Sequence, residues 1–325
     1  GVPLTLQDDQ CVFPVSQDAM DIVGTLLRGM RQAGVNTFFG ARVSSISELP
    51  DGGYEIKFEQ SGAERKPIQA DYVVVTTGGS PRSEGQSFLA PLGLEMVEPV
   101  PSLFTFNLAD KALRERMGAV VENARVGLCG TKLSGEGPLL ITHWGLSGPA
   151  ALKLSSYAAR VLAERGYKAD VSVNWLPDMD EQEIRSLLAG LAATSPQKRL
   201  SGVHPTEIPG RLWEYLLERS GIRGDLRCAE LGKKGLNRLV ETLMNCIFRM
   251  DGKSRFREEF VTCGGVALSN IDIATLESKA HGGLYFAGEA LDVDAITGGF
   301  NLQAAWSMGM ICDRGIATKE ANGVS

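Results

Sequence analysis

The sequence predicts an α/β protein: a dinucleotide-type domain interrupted by one large insertion of short strands followed by helices. Three observations carry this reading. Asp71–Thr77 is an apolar run that stops at Gly78-Gly79, the pattern of a strand buried in a parallel sheet. A second run, Leu284–Ala287, ends at Gly288-Glu289 and passes through an acidic loop into Thr297-Gly298-Gly299. There a small-residue helical pattern begins, carried by Ala304, Ala305, Met308 and Ile311. Between the two runs, from about Val100 to Thr262, the texture changes to short β segments and then helices. The expected units are therefore 1–99, 100–262 and 263–325.

In chain order, Ser16 is a good N-cap for a helix reaching Ala33, with Ala19, Met20, Ile22, Val23, Leu26, Leu27 and Met30 forming a broad apolar face. Gly34 suits the C′ position. Thr37–Ile46 reads as a strand, and Asp51-Gly52-Gly53 turns it into the alternating Tyr54–Glu59. Within the insertion, strands are expected at Leu103–Leu108, Arg125–Leu133, Leu139–His143 and Asp170–Trp175. A helix should start at Gly148-Pro149, with Ser147 as its cap and proline in the first turn. Further helical patterns cover Glu181–Ala193, Thr206–Arg219 and Leu236–Phe248.

Composition narrows the function classes. With 43% hydrophobic and 22% charged residues, the chain lies near the globular average, so disorder is excluded. No apolar run approaches the about 20 residues a membrane helix needs, and no signal peptide heads the sequence, so a cytoplasmic protein is expected. A net charge of −6 argues against nucleic acid as a partner, and a small-molecule substrate is expected. Lys198, Arg199, Arg211, Lys233 and Lys234 read as a solvated face. The six cysteines (Cys11, Cys129, Cys228, Cys246, Cys263 and Cys312) lack paired spacing and read as reduced small hydrophobes. Three histidines without ligand spacing leave no catalytic metal to expect.

The chemistry gathers at the glycine-ended strands. Ligands of open α/β sheets bind beyond the C-terminal ends of the strands, and glycine there lets backbone approach a ligand closely. A helix opened by Gly298-Gly299 presents bare N–H groups at its positive end. Reduced flavin develops negative charge at its N1–C2=O edge, which makes flavin chemistry the reading to test.

The segment GEALDVDAITGGFNLQAAW, from Gly288 to Trp306, resembles the closing FAD motif of the bacterial flavoprotein family of NAD(FAD)-utilizing dehydrogenases. The similarity extends in order through Cys11–Ser16, Thr76–Gly79, Thr142–Pro149 and Val261–Val266. The family's named activities include reduction of a bile-acid 3-oxo-Δ4,6 system. The resemblance implies an FAD-binding, Rossmann-like domain of the two-dinucleotide type, interrupted by an inserted β-plus-helical cap domain over the isoalloxazine. It implies cofactor contacts at Val43 (adenine), Thr77, Gly78, Gly79, Gly288, Glu289 (ribityl hydroxyls), Asp292, Gly298, Gly299, Phe300 and Asn301. Asp292 or Asp294 is expected to cap the closing helix. NAD(P)H is the implied electron donor for a hydrophobic or conjugated carbonyl substrate. The only candidate for a proton donor is His143, for which a structural role is the simpler reading.

One departure stands beside these matches. Such flavoproteins begin with strand, G-x-G-x-x-G and helix, whereas Gly1–Leu6 is followed by no such element. The sequence reads as a member lacking its first βαβ unit, and this length of chain is expected to hold FAD weakly or not at all. The alternative is a flavoprotein-like binding or scaffold protein, for which Gly298–Asn301 would be needless.

Overall fold

The computed structural model describes residues 1–7, 10–80, 82–253 and 261–323. The first unit holds β1 (Leu4–Leu6), β2 (Val12–Pro14), α1 (Ala19–Gln32), β3 (Ala41–Glu48), β4 (Tyr54–Gln60), β5 (Ala63–Glu64), β6 (Ile68–Ala70) and β7 (Val73–Val75). A 3-10 segment, Ser83–Leu92, leads to β8 (Met96–Ser102) and β9 (Phe106–Leu108). The insertion continues with α2 (Lys111–Arg114), β10 (Val120–Leu128), β11 (Ser134–Ile141), β12 (Gly145–Ser147), α3 (Pro149–Tyr157), α4 (Ala159–Glu164) and β13 (Ala169–Asn174). Helices α5 (Glu181–Thr194), α6 (Gly210–Arg219) and α7 (Lys233–Met244) follow, then β14 (Cys246–Lys253) and β15 (Val261–Val266). The chain closes on β16 (Leu284–Phe286) and α8 (Gly298–Gly323).

The two apolar runs singled out by sequence pair as parallel strands, with Leu284 opposite Val73 and Phe286 opposite Val75. Around them packs one core that includes Ile46, Tyr54, Leu89, Tyr285, Phe286 and Leu291. The insertion has a separate core. Strands β10, β11, β12, β9, β14 and β13 close into a barrel in that order, filled by Phe106, Val126, Leu139, Val171, Val173 and Phe248. Closure leaves no strand edge unpaired.

The last barrel strand corrects an expectation. The helix predicted over Leu236–Phe248 starts earlier, at Lys233, and ends at Met244, and Cys246 onward is β14. Cys246, Phe248 and Met250 point inward while Ile247 is 46% exposed. That outward isoleucine masks the period-two pattern and mimics a helical run.

Capping also differs in detail. Asp18, not Ser16, caps α1 by accepting from the Met20 N–H at 2.8 Å, while Ser16 bonds Asp21. Gly148 in a positive-φ conformation, not Ser147, precedes α3, and Pro149 occupies the first helical turn. Strand β3 begins at Ala41, not Thr37, and Val74 in the middle of β7 is 39% exposed. The apolar face of α1 exists, but no residue of the helix is buried: Met20 is 63% and Leu26 57% exposed.

In the helical part, Asp110 accepts from the Tyr215 hydroxyl at 2.7 Å and from Arg219 at 3.0 Å, and Arg219 lies 4.8 Å above the Phe248 ring. Trp213 donates to the Leu200 carbonyl at 2.8 Å. These bonds seat α6 on the outside of the barrel with its polar atoms satisfied. No described helix is long and apolar enough to cross a membrane.

Candidate functional site

The ends of β7 and β16 and strand β15 meet around Glu289, and the adjoining Gly288 packs on α8 at Ala305 and Met308. β7 delivers Thr76-Thr77-Gly78-Gly79, with Gly78 at positive φ. β16 delivers Ala287 and then Gly288, also at positive φ, in a short 3-10 turn. The Glu289 carboxylate accepts from the Thr262 N–H of β15 at 3.4 Å. A Cβ on Gly79 would lie 2.5 Å from the Thr262 side chain and 3.0 Å from Glu289 Oε2. Glycine is therefore required there by close approach of neighbours. Gly288 faces α8, where its built Cβ falls 3.5 Å from Ala305. By contrast nothing lies within 4 Å of a Cβ at Gly78, Gly298 or Gly299, so that backbone is open.

Glu289 is half-buried. Burial pushes its carboxyl above the usual range, the Thr262 amide counters this, and Asp294 adds to it. A carboxyl raised in the folded state favours folding when protonated, so its contribution is fully present below the ordinary carboxylate pKa. It is lost as pH rises through the raised folded value. Glu289→Gln is expected to flatten the pH dependence of the urea midpoint above the ordinary carboxylate range, which begins at about pH 4. An unchanged profile in the variant would mean that Glu289 is solvated like a surface carboxylate.

Other residues singled out by sequence sit differently. Asn301 is buried, and its amide holds its own approach loop: the oxygen accepts from Ala295 N–H at 2.9 Å, and the nitrogen donates to Ala295 and Thr297 carbonyls. Thr297, and neither aspartate, caps α8 by accepting from Phe300 N–H at 3.3 Å. Phe300 is 61% exposed. Asp292 pairs with Arg160 at 3.3 Å, and Asp294 accepts from Ser102 at 2.7 Å. Val43 pairs with Phe58 in β3–β4 beside a bulge. His143 is exposed on the β11–β12 turn, edge-on to Trp144 at 4.3 Å between ring centroids.

One group was not foreseen. Thr262 contacts both Gly79 and Glu289, yet it appeared in the sequence only as part of a motif. Cys263 is half-buried, with its thiol pushed up to about 11 by burial first and by Asp294 next. A thiol so placed is neutral near pH 7, in keeping with the small-hydrophobe reading.

Residues 100–261 match the family described as HI0933-like protein barrel and H2TH domain, which is the six-stranded barrel and helical part. The chain is 27% identical over 320 residues to the 3-dehydro-bile acid delta(4,6)-reductase of Clostridium scindens, covering 95% of this chain and 76% of that protein. It is 32% identical over 253 residues to the ribosomal RNA dihydrouridine synthase of Haemophilus influenzae, and 30% over 254 residues to that of Escherichia coli. Each of these two matches covers 75% of this chain and 60% of the synthase. Fold and relatives together define a flavoprotein-type α/β protein whose relatives are named as enzymes. Residues 100–261 carry the HI0933-like barrel and H2TH domain, in a chain that is similar to a named reductase over 95% of its length.

The residues present fit the flavin end of the cofactor. The backbone at Gly78, Gly298 and Gly299 is open to close approach, and Glu289 accepts from one backbone donor, leaving lone pairs for ligand hydroxyls.

Proposed function

We propose that the protein acts as an FAD-dependent reductase of a carbon–carbon double bond conjugated to a carbonyl, fed by NAD(P)H. The observation that carries this is the half-buried Glu289 at the ends of two glycine-ended parallel strands, held by the Thr262 N–H of β15. In this reading Gly78, Gly79 and Gly288 let backbone lie against the cofactor, and Glu289 accepts from ribityl hydroxyls. The N-terminal amides of α8 at Gly298, Gly299 and Phe300 face the pyrimidine edge, where they favour negative charge. Thr77, Asp292 and Val43 have weaker claims, Asp292 because Arg160 already holds it. Bound flavin would supply the two electrons as a hydride equivalent. The barrel and its helices would cover the substrate and exclude water.

The two relative names fit one chemistry. A Δ4,6 system beside a 3-oxo group is a conjugated enone, and dihydrouridine is uridine with two hydrogens added across a double bond that is conjugated to a ring carbonyl. The test is the visible spectrum of the protein titrated with a large excess of FAD, so that weak binding registers, followed by NAD(P)H and an enone. Flavin bands that bleach and then recover on adding enone are expected. A chain that neither takes up FAD nor oxidises NAD(P)H sinks the reading.

One observation favours a nucleic-acid-borne form of this substrate. Residues 195–238 hold nine Lys and Arg against five Asp and Glu in a chain of net charge −6. Arg199 and Arg227 are brought together by a β-bridge, and Cys228 N–H donates to the Lys198 carbonyl at 2.9 Å. Lys233 and Lys234 open α7 close by in sequence, and all five basic side chains are exposed. Whole-chain charge hides this asymmetry. Reversing Lys198, Arg199, Lys233 and Lys234 to Glu is expected to weaken binding of a short RNA by about tenfold or more and to flatten its salt dependence. Equal, salt-insensitive binding by both forms would return the patch to a solvated face.

A further inference from the structure

The acidic loop between β16 and α8 does something the sequence did not suggest. Its two aspartates turn away from the open glycine backbone and into the inserted unit. Asp292 pairs with Arg160 of α4 at 3.3 Å, and the same guanidinium donates to the Glu98 carbonyl of β8 at 3.3 Å. Asp294 accepts from Ser102 at the end of β8 at 2.7 Å and from Ser156 of α3 at 3.5 Å. Cys263 of β15 also lies against Asp294. The loop backbone is held to β15 as well, with Asp292 N–H on the Val266 carbonyl at 2.9 Å and a parallel bridge from Val266 to Leu291.

From Asp294 the contacts run on without a break. Ala295 is clasped on both its N–H and its carbonyl by the Asn301 amide, which also reaches the Thr297 carbonyl. Asn301 lies in the first turn of α8, one residue after Gly298-Gly299-Phe300. The glycine-opened helix start is therefore joined to the outside of the barrel through two carboxylates, two serines and one arginine.

We propose that Asp292 and Asp294 are positioning residues that fix the start of α8 by pinning its approach loop to α3, α4 and β8. The physical reason is the balance of constraints. Small residues at a helix start make its backbone accessible and leave it poorly anchored, because no side chains pack there. A short charge-assisted bond to Asp294, together with a second carboxylate on an arginine, supplies the anchorage from outside the helix. The inserted unit thereby sets the geometry of the opening, and a shift of α3 or α4 must move the loop. The link to cofactor binding rests on the flavin reading above, whereas the mechanical coupling does not.

The test is peptide-resolved hydrogen exchange of the full chain without added cofactor. Asp294→Ala should raise exchange across residues 295–301 by about tenfold, because the loss of a charge-assisted bond is a large local effect. Arg160→Glu should raise it by a few fold, as befits a partly exposed pair, and Arg160→Glu with Asp292→Arg should restore it. Exchange in β13, residues 169–174, reports whether each variant is folded. If Asp294→Ala also loosens β13, the milder Ser102→Ala with Ser156→Ala takes its place.

Alkylation of Cys263 gives an independent reading. Asp294→Asn removes a negative neighbour at constant size and should speed alkylation of that cysteine, resolved by mass spectrometry. Exchange at 295–301 that matches the parent in every variant, or a double charge reversal that restores nothing, overturns the proposal. FAD titration of the same proteins separates the two claims: no FAD uptake by the parent defeats the flavin reading alone, while the exchange result stands by itself.

Discussion

Replacing Gly135 with alanine is expected to destabilise the barrel by about 3 kcal/mol or more. β11 and α3 touch at this point: an added Cβ would lie 2.2 Å from the Ala150 carbonyl oxygen and 2.6 Å from the Leu154 nitrogen. Both obstacles are backbone, so no rotamer change relieves them. Helix α3 must lift from the strand, which unpacks the fully buried Ala150, Ala151 and Leu154 and carries Ser156 away from Asp294. Gly190 in α5 is the natural control, because a Cβ there meets nothing within 4 Å. Alanine at Gly190 should stabilise by about 0.5–1 kcal/mol through lower unfolded-state entropy and better helix propensity. Urea denaturation of both variants decides the matter, and a neutral Gly135→Ala would mean that α3 sits farther from β11 than described.

The second large effect is expected at Gly79, on binding instead of on stability. Its Cβ would strike Thr262 Cβ and Oγ1 at 2.5 Å and come within 3.0 Å of Glu289 Oε2. Alanine there must displace Thr262, whose N–H holds the Glu289 carboxylate. FAD affinity should fall by about tenfold or more, equivalent to about 1.4 kcal/mol, with the urea midpoint of the barrel unchanged. Pairing Gly79→Ala with Thr262→Gly removes the obstacle and should recover much of the loss. Equal affinity of parent and Gly79→Ala in an FAD titration would show that the β7 end is not part of the cofactor site.

The parts of this arrangement that were legible in the sequence are those written in backbone chemistry. β7, β16 and the start of α8 are apolar or small-residue runs bounded by glycine pairs, and such punctuation has few alternative explanations. The barrel was harder to see. β9 and β12 hold three residues each, too few to show a period, and Ile247 on the outside of β14 made a strand look helical. Caps were misplaced where competent residues cluster: Ser16 and Asp18 lie two apart, and the final geometry chose the aspartate. Asp292 was assigned toward a ligand because charge near a glycine-rich helix start suggests one. Its true partner, Arg160, is 132 positions away in sequence, and no local pattern announces a pairing of that range. Thr262 was missed for the same reason, since its contacts with Gly79 and Glu289 are made across strands.

The barrel's first and last strands, β9 and β14, are hydrogen-bonded neighbours, with Met250 opposite Leu108 and Lys253 opposite Phe106. The strands just outside them, β8 and β15, pair as well, with Val261 opposite Ser102 and Val266 opposite Met96. The inserted unit thus enters and leaves through a single two-stranded stalk whose arms lie about 5 Å apart. A tight turn could bridge that gap, so the barrel and helices have the geometry of an exchangeable cassette: they could be excised, or swapped for a different lid, without altering the register of β7 against β16.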